Sequence, residues 1–205
     1  LGLSIPGASR AYDGTTNITP TGAVTLSGVV AADVGNVSLS AGSVTGYVDK
    51  NVGANKTVTY TGFTLSGSDA ANYTLPANPT SNADITAKAL TVTAPAVTKE
   101  YDGTLSATGT ATVGALGSGD SVNVAAALAF TDKNVGAGNK TVQASGLTIK
   151  DAANADMTGN YAITYADNTA STITAKALGL SIPGATRAYD GTTSITVGAV
   201  TLSGV

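Results

Sequence analysis

LGLSIPGASRAYDGTT, Leu1 to Thr16, decides the fold because the chain carries it three times. LTVTAPAVTKEYDGT begins at Leu90 and LGLSIPGATRAYDGTT at Leu178. The Tyr-Asp-Gly tripeptides start at Tyr12, Tyr101 and Tyr189, a period of about 88 residues, which suits tandem domains rather than the short turns of a solenoid. Later landmarks recur in the same order. DKNVGANKTV at Asp49 answers DKNVGAGNKTV at Asp132, and GFTLSGSDAANYTL at Gly62 answers GLTIKDAANADMTGNYAI at Gly146. DITAKAL at Asp84 answers TITAKAL at Thr172. The first and third copies differ only at Ser9/Thr186 and Asn17/Ser194, and in Val197 standing for Pro20-Thr21.

The organisation read from this is two full repeats, 1–89 and 90–177, and the start of a third, 178–205. The third stretch is too short to close a core unaided. It is therefore expected to form strands with an edge completed by a neighbouring unit or chain. No linker rich in Pro, Gly or charge separates the repeats. ITAKAL runs into LTVTAP, so the last strand of one repeat is expected to lead straight into the first strand of the next. The opening at Leu1, already inside repeat sequence, is what a piece of a longer array would show.

Strands, not helices, fit the local pattern. Leu1–Ile5, Ala23–Leu26, Val37–Leu39, Thr57–Tyr60 and Leu90–Thr93 alternate apolar and polar residues, the period of half-buried strands. Thr and Val suit pleated surfaces, and Gly, Asn and Asp punctuate them at turn spacing. VAAALAF, Val124–Phe130, is the nearest rival to a helix and is read as a strand from its counterpart NVSLSAG. The expected class is all-β, as tandem small antiparallel β-sandwiches of the immunoglobulin-like kind. Asp69-Ala-Ala-Asn-Tyr73, just before an apolar strand expected at Thr74-Leu75, has the D-x-A-x-Y spacing of a tyrosine corner, in which the hydroxyl bonds back to nearby backbone. In the second repeat an insertion separates Asp151 from Tyr161, so the full motif is broken there while Asn160-Tyr161 remains. The competing reading makes Tyr73 and Tyr161 ordinary half-buried strand residues.

Composition narrows the chemistry. The 205 residues are 42% hydrophobic and 11% charged, with a net charge of −3. That is too apolar for a disordered chain and lacks the basic stripe a nucleic-acid partner needs. His, Cys and Trp are absent, and Glu100 is the only Glu. Thiol nucleophiles, His-based triads and His/Cys zinc sites are excluded by inventory. No apolar run is long enough for a membrane-spanning helix. The chain is read as a non-enzyme, with no catalytic, cofactor-binding or metal residues and no cofactor.

The remaining motifs have two readings each. Asp13, Asp102 and Asp190 of Tyr-Asp-Gly could be calcium or carbohydrate contacts, but Asp-Gly is turn chemistry and calcium needs several carboxylates at close spacing. The tripeptide is read as a turn anchored by its Tyr. Asp49-Lys50-Asn51 is read as a hairpin loop, with Gly53 and Gly136 at the sharp bend. A Lys–Asn amide crosslink, an ice-binding Thr array and glycans at Asn17, Asn36 or Asn72 are weaker alternatives.

The [KR]-x-Y-D-G-T opening, D-K-N-V-G-x-x-K-T-V middle, D-A-x-N-Y strand and I-T-A-K-A-L close resemble the YDG/MBG-type repeats of large bacterial surface proteins, including filamentous-haemagglutinin-like adhesins. The resemblance implies an extracellular, tandemly repeated β-domain at the bacterial cell surface. It implies a stalk or spacer that projects an adhesive region from the cell, its partners being neighbouring repeats of the same chain. A subunit of an extracellular fibre, joined to identical chains by strand addition, is the second expectation. A carbohydrate- or host-protein-binding module is the third.

Overall fold

The computed structural model describes residues 1–20, 22–77 and 79–204. Val205, the last residue of the expected third repeat, lies outside them. The described residues contain no α-helix, only strands and three single 3₁₀ turns at Ala31–Asp33, Ala70–Asn72 and Thr158–Asn160. The expected all-β class is observed.

In the first repeat the strands are β1 (Gly2–Ser4), β2 (Arg10–Ala11), β3 (Thr25–Ser27), β4 (Ser38–Leu39), β5 (Ser43–Tyr47), β6 (Gly53–Thr61), β7 (Leu65–Ser66) and β8 (Thr80–Thr86). In the second they are β9 (Lys88–Thr93), β10 (Thr98–Glu100), β11 (Thr112–Val113), β12 (Asp120–Val124), β13 (Ala127–Phe130), β14 (Gly136–Ser145), β15 (Thr148–Asp151), β16 (Tyr161–Ala166) and β17 (Asn168–Thr174). The third stretch adds β18 (Gly179–Ser181) and β19 (Thr201–Ser203). Only Ala87 separates β8 from β9, so the strand-to-strand joint read from ITAKALTVTAP is present. VAAALAF is not helical: it divides between the end of β12 and β13.

Both repeats build one four-stranded sheet in the same order, β2-β8-β6-β5 and β10-β17-β14-β13. These sheets are mixed, not wholly antiparallel as expected. Arg10 pairs with Ile85 and Ala11 with Thr86 in parallel, and Lys99 with Ile173 and Glu100 with Thr174 likewise. The physical reason is connection length. Most of a repeat lies between its second and last strands, ample chain for the crossover that parallel neighbours require. The period-two faces bury Val58, Tyr60, Ala83 and Ile85 in the first sheet, and Phe130, Val142, Ala144 and Ile173 in the second. Each buried Val or Ile contributes roughly 1.5–3 kcal/mol.

The expected strand at Thr74-Leu75 is absent, whereas the matching stretch of the second repeat is β16, paired with β9. Pro76 and Pro79 follow Leu75, and proline has no N–H to give a ladder. The sequence AITYADN carries no such block.

The chain folds as two compact units whose boundaries are not those of the sequence repeats. One comprises 1–92, 112–127 and 145–165, and the other 93–111, 128–144 and 166–205. The first unit thus holds all of the first repeat together with three segments of the second, 90–92, 112–127 and 145–165. In the other unit, β18 and β19 pair with each other and with no other described strand. Among the described strands, none from a neighbouring repeat supplies the expected completion of their edge. Their register, Leu180 opposite Leu202, repeats that of Leu3 opposite Leu26. The one-residue deletion at Val197 falls in the loop between the strands and leaves the pairing intact.

Candidate functional site

The three Tyr-Asp-Gly turns share one local construction. Asp13 Oδ1 accepts from the Thr15 N–H at 2.8 Å and the Thr15 hydroxyl at 2.9 Å. Asp102 does the same with Thr104, and Asp190 with Thr192. The basic residue three positions earlier closes each turn: Arg10, Lys99 and Arg187 pair with their Asp at 2.5, 2.8 and 2.5 Å. Hydrogen bonding by Lys99 and Thr104 holds the Asp102 carboxyl well below its ordinary range. The Thr192 N–H and hydroxyl, then Arg187, do so for Asp190. Arg10 also lies over the Tyr47 ring and Lys99 over the Phe130 ring, cation–π contacts of 5.2 and 5.4 Å. The turn reading of the motif is therefore observed, and [KR]-x-Y-D-G-T is a self-closing unit that leaves its Tyr free to reach outward.

Within the first compact unit, Tyr12 makes its hydroxyl contact outside its own repeat. It is 1% exposed, and its hydroxyl donates to Asp120 Oδ2 at 2.8 Å. Tyr161 donates to the same oxygen at 2.7 Å, and its own hydroxyl oxygen accepts from the Gly117 N–H at 2.7 Å. The two rings meet edge to face at 5.4 Å. Beside them the Ser118 N–H donates to the Asp13 carbonyl at 2.7 Å. Space there is minimal. A Cβ at Gly14 would lie 2.5 Å from Ser118 N, and one at Gly117 would lie 3.0 Å from Tyr12 Cε1. Burial, then the adjacent Asp120 carboxylate, pushes the Tyr12 phenol far up. Burial likewise pushes the Tyr161 phenol up to about 12, with the Gly117 N–H opposing and Asp120 adding to the rise.

The second motif of the first repeat joins at the same place. Asp49 Oδ1 accepts from the Asn51 N–H and from Lys56, which confirms the hairpin loop. That loop leaves Lys50 and Asn51 pointing at the second repeat. Lys50 Nζ lies 3.1 Å from Asp151 and 3.6 Å from Asp120 Oδ1. Asp120, with its side chain 0% exposed, thus has both hydroxyls on one oxygen. Among the described residues its other oxygen has no hydrogen bond, and only the Lys50 charge lies opposite. Buried Asn160 accepts from the Val52 N–H at 2.9 Å and donates to Asn51 Oδ1 at 3.1 Å. Gly53 and Gly136, expected at the sharp bend, instead open β6 and β14, and the positive-φ residues Asn55 (φ 54°) and Gly138 (φ 65°) lie two further on, where the pairing to the last strand shifts register. Gly136 makes room: a Cβ there would lie 2.7 Å from the Lys140 Cε crossing to Asp132, whereas one at Gly53 would come no nearer than 3.5 Å to Lys56.

The tyrosine of D-A-A-N-Y does not bond nearby backbone as a tyrosine corner would. Tyr73 donates to Asp33 Oδ2 at 2.6 Å and accepts from the Val30 N–H at 3.1 Å. Tyr161, Asp120 and Gly117 form the same arrangement, so the insertion before Tyr161 leaves it intact. Asp33 and Asp120 escaped sequence reading because their surroundings, VVAADVG and GALGSGD, share no motif. Their spacing of about 40 residues to the following Asn-Tyr was the available signal.

The geometry describes a junction between repeats, with Tyr12 and Lys50-Asn51 of one seated on the Asp–Tyr corner of the next. Two segments of the chain, residues 3–81 and 86–170, match the YDG domain family, and together they span well over half of it. The chain belongs to the YDG domain family. Both matched segments of this YDG-domain chain contain a Tyr-Asp-Gly turn and an Asp–Tyr corner. No match was found among curated proteins or among solved structures.

Proposed function

We propose that this chain is a structural spacer of a large secreted or cell-surface bacterial adhesin, a non-catalytic run of repeats that projects an adhesive region from the cell. On this reading each repeat is a small sandwich of the immunoglobulin-like kind, and its working partner is the next repeat. The observation that carries the reading is the junction. The motif residues that distinguish the repeat, Tyr12 and Lys50-Asn51, are spent on Asp120, Asp151 and Asn160 of the following repeat. A binding module would instead keep its distinctive side chains free for a ligand. Nearest-neighbour contacts of this sort are how repeat arrays gain stability.

Small-angle scattering on chains of two and four repeats tests it. A spacer requires the maximum dimension to grow nearly in proportion to repeat number. A four-repeat chain scarcely longer than the two-repeat chain would reject the reading.

A further inference from the structure

The two repeats give a Tyr-Asp-Gly turn the same polar partners but not the same space. In the second repeat the Gly117–Asp120 turn closes with the Asp120 N–H on the Gly117 carbonyl, as Val30–Asp33 closes in the first. In each, the N–H of the first residue donates to a tyrosine hydroxyl, and that hydroxyl donates to the Asp carboxylate. Asp69 and Asn72 of the first repeat stand in the motif where the second has Asp151 and Asn160. The Tyr-Asp-Gly tripeptide is identical in all its copies, so the seat is where two junctions can differ. There Gly117 is bare, whereas Val30 carries a β-branched side chain. A Cβ at Gly117 would lie 3.0 Å from Tyr12 Cε1, from the Asp13 carbonyl carbon and from Gly14 N, against both the ring and the backbone of the inserted turn. The path of the second repeat does not itself require this glycine. Its φ is not positive, and Val30, at φ −62° and ψ 140°, opens the corresponding turn with a bulky residue.

We infer that Gly117 selects which kind of repeat can follow the Tyr12 turn: the face made by that turn and Lys50-Asn51 fits a repeat of the second type and rejects one of the first. This rests on the junction being the working contact between repeats, and adds the rule for its partner. Specificity of this sort comes as much from what a surface repels as from what it attracts. A Tyr12 ring set on Asp33 and Tyr73 as it lies on Asp120 and Tyr161 would meet the Val30 Cβ as closely, and the two methyl groups would crowd the turn further. A contact already at interior density has no room for three more carbons without a shift of backbone. Such a shift carries the phenol out of hydrogen-bond reach of the carboxylate, so the polar contacts are lost together. The order of repeat types is thereby written into the seat.

Amide hydrogen exchange on the full chain, with G117V, Y12A and the double variant, tests this. The probe is the Ser118 N–H, bonded to the Asp13 carbonyl across the junction, and the control is the Ile149 N–H, bonded to the Thr158 hydroxyl within the second repeat. G117V puts the residue of the first seat into the second. Ser118 exchange should quicken at least about tenfold, with Ile149 unchanged, because the overpacked turn opens locally. Y12A should quicken Ser118 as well, and adding G117V to it should change the rate by less than about threefold. Ser118 protection that survives G117V overturns the inference and leaves the junction standing. Protection that survives Y12A overturns the junction itself, and the inference with it. Effects of the two changes that add in full, or an Ile149 that quickens together with Ser118 in G117V, mean that Gly117 serves only its own repeat, and overturn the inference too.

Discussion

Tyr12 and Asp120 stand 108 residues apart in sequence and are joined by a 2.8 Å hydrogen bond from the phenol to the carboxylate. The contact ties the Tyr-Asp-Gly turn of one repeat to the acidic corner of the next. Replacing Tyr12 by Phe leaves a buried carboxylate short of one donor, an expected loss of about 1–3 kcal/mol. Replacement by Ala also opens a cavity, for a loss of about 3–5 kcal/mol. Urea unfolding of the full chain measures both. The same changes at exposed Tyr189 should alter stability by less than about 0.5 kcal/mol.

The glycines supply an internal control. Gly14 (φ 86°) and Gly103 (φ 78°) occupy the same turn position in the two repeats, but a Cβ meets Ser118 backbone at Gly14 and nothing within 4 Å at Gly103. Gly103→Ala should cost only the positive-φ penalty, about 1 kcal/mol. Gly14→Ala should cost at least about 2 kcal/mol more, because backbone must also move. Equal costs in thermal unfolding would show that Ser118 does not seat against this turn.

How much of this was legible beforehand depends on the range of each interaction. The turns at Asp13 and Asp49 were readable because their bonds close within a few residues. So was the β8–β9 joint, where ITAKALTVTAP has no breaker. The parallel β2–β8 pair was not, since strand direction is set by a crossover that alternation does not record. The corner was half readable. Tyr73 and Tyr161 stood out, but their partners Asp33 and Asp120 lie about 40 residues upstream in dissimilar loops. Pro76 and Pro79, visible in the sequence, should have removed Thr74-Leu75 from the strands.

Lys50 places the only charge opposite Asp120 Oδ1 among the described groups, at 3.6 Å, and also pairs with Asp151 at 3.1 Å. Lys50→Met leaves that buried oxygen without a counter-charge, an expected loss of about 1–3 kcal/mol, moderated because Lys50 itself is partly exposed. Raising salt should recover little of the difference, since burial limits screening. Denaturant midpoints for wild type and K50M at low and high salt check this.

Alkaline pH should weaken the junction. Burial holds the Tyr161 phenol at about 12 and raises Tyr12 as well, against an ordinary value of 10.0. A phenol whose folded-state pKa is raised stabilises the fold fully below its unfolded value and loses that contribution as pH climbs through the folded value. Stability should therefore fall from about pH 10 through pH 12 and beyond. Ultraviolet titration should show Tyr12 and Tyr161 ionising late among the eight tyrosines. In the D120N variant both should ionise at lower pH.

A double-mutant cycle of Tyr12→Phe and Asp120→Asn, read by chemical unfolding of the full chain, tests the junction most directly. The expected result is a coupling energy of about 1–2 kcal/mol between the two positions, within the span found for residues in direct contact. Effects that add to within about 0.5 kcal/mol would mean the two repeats do not meet through these side chains.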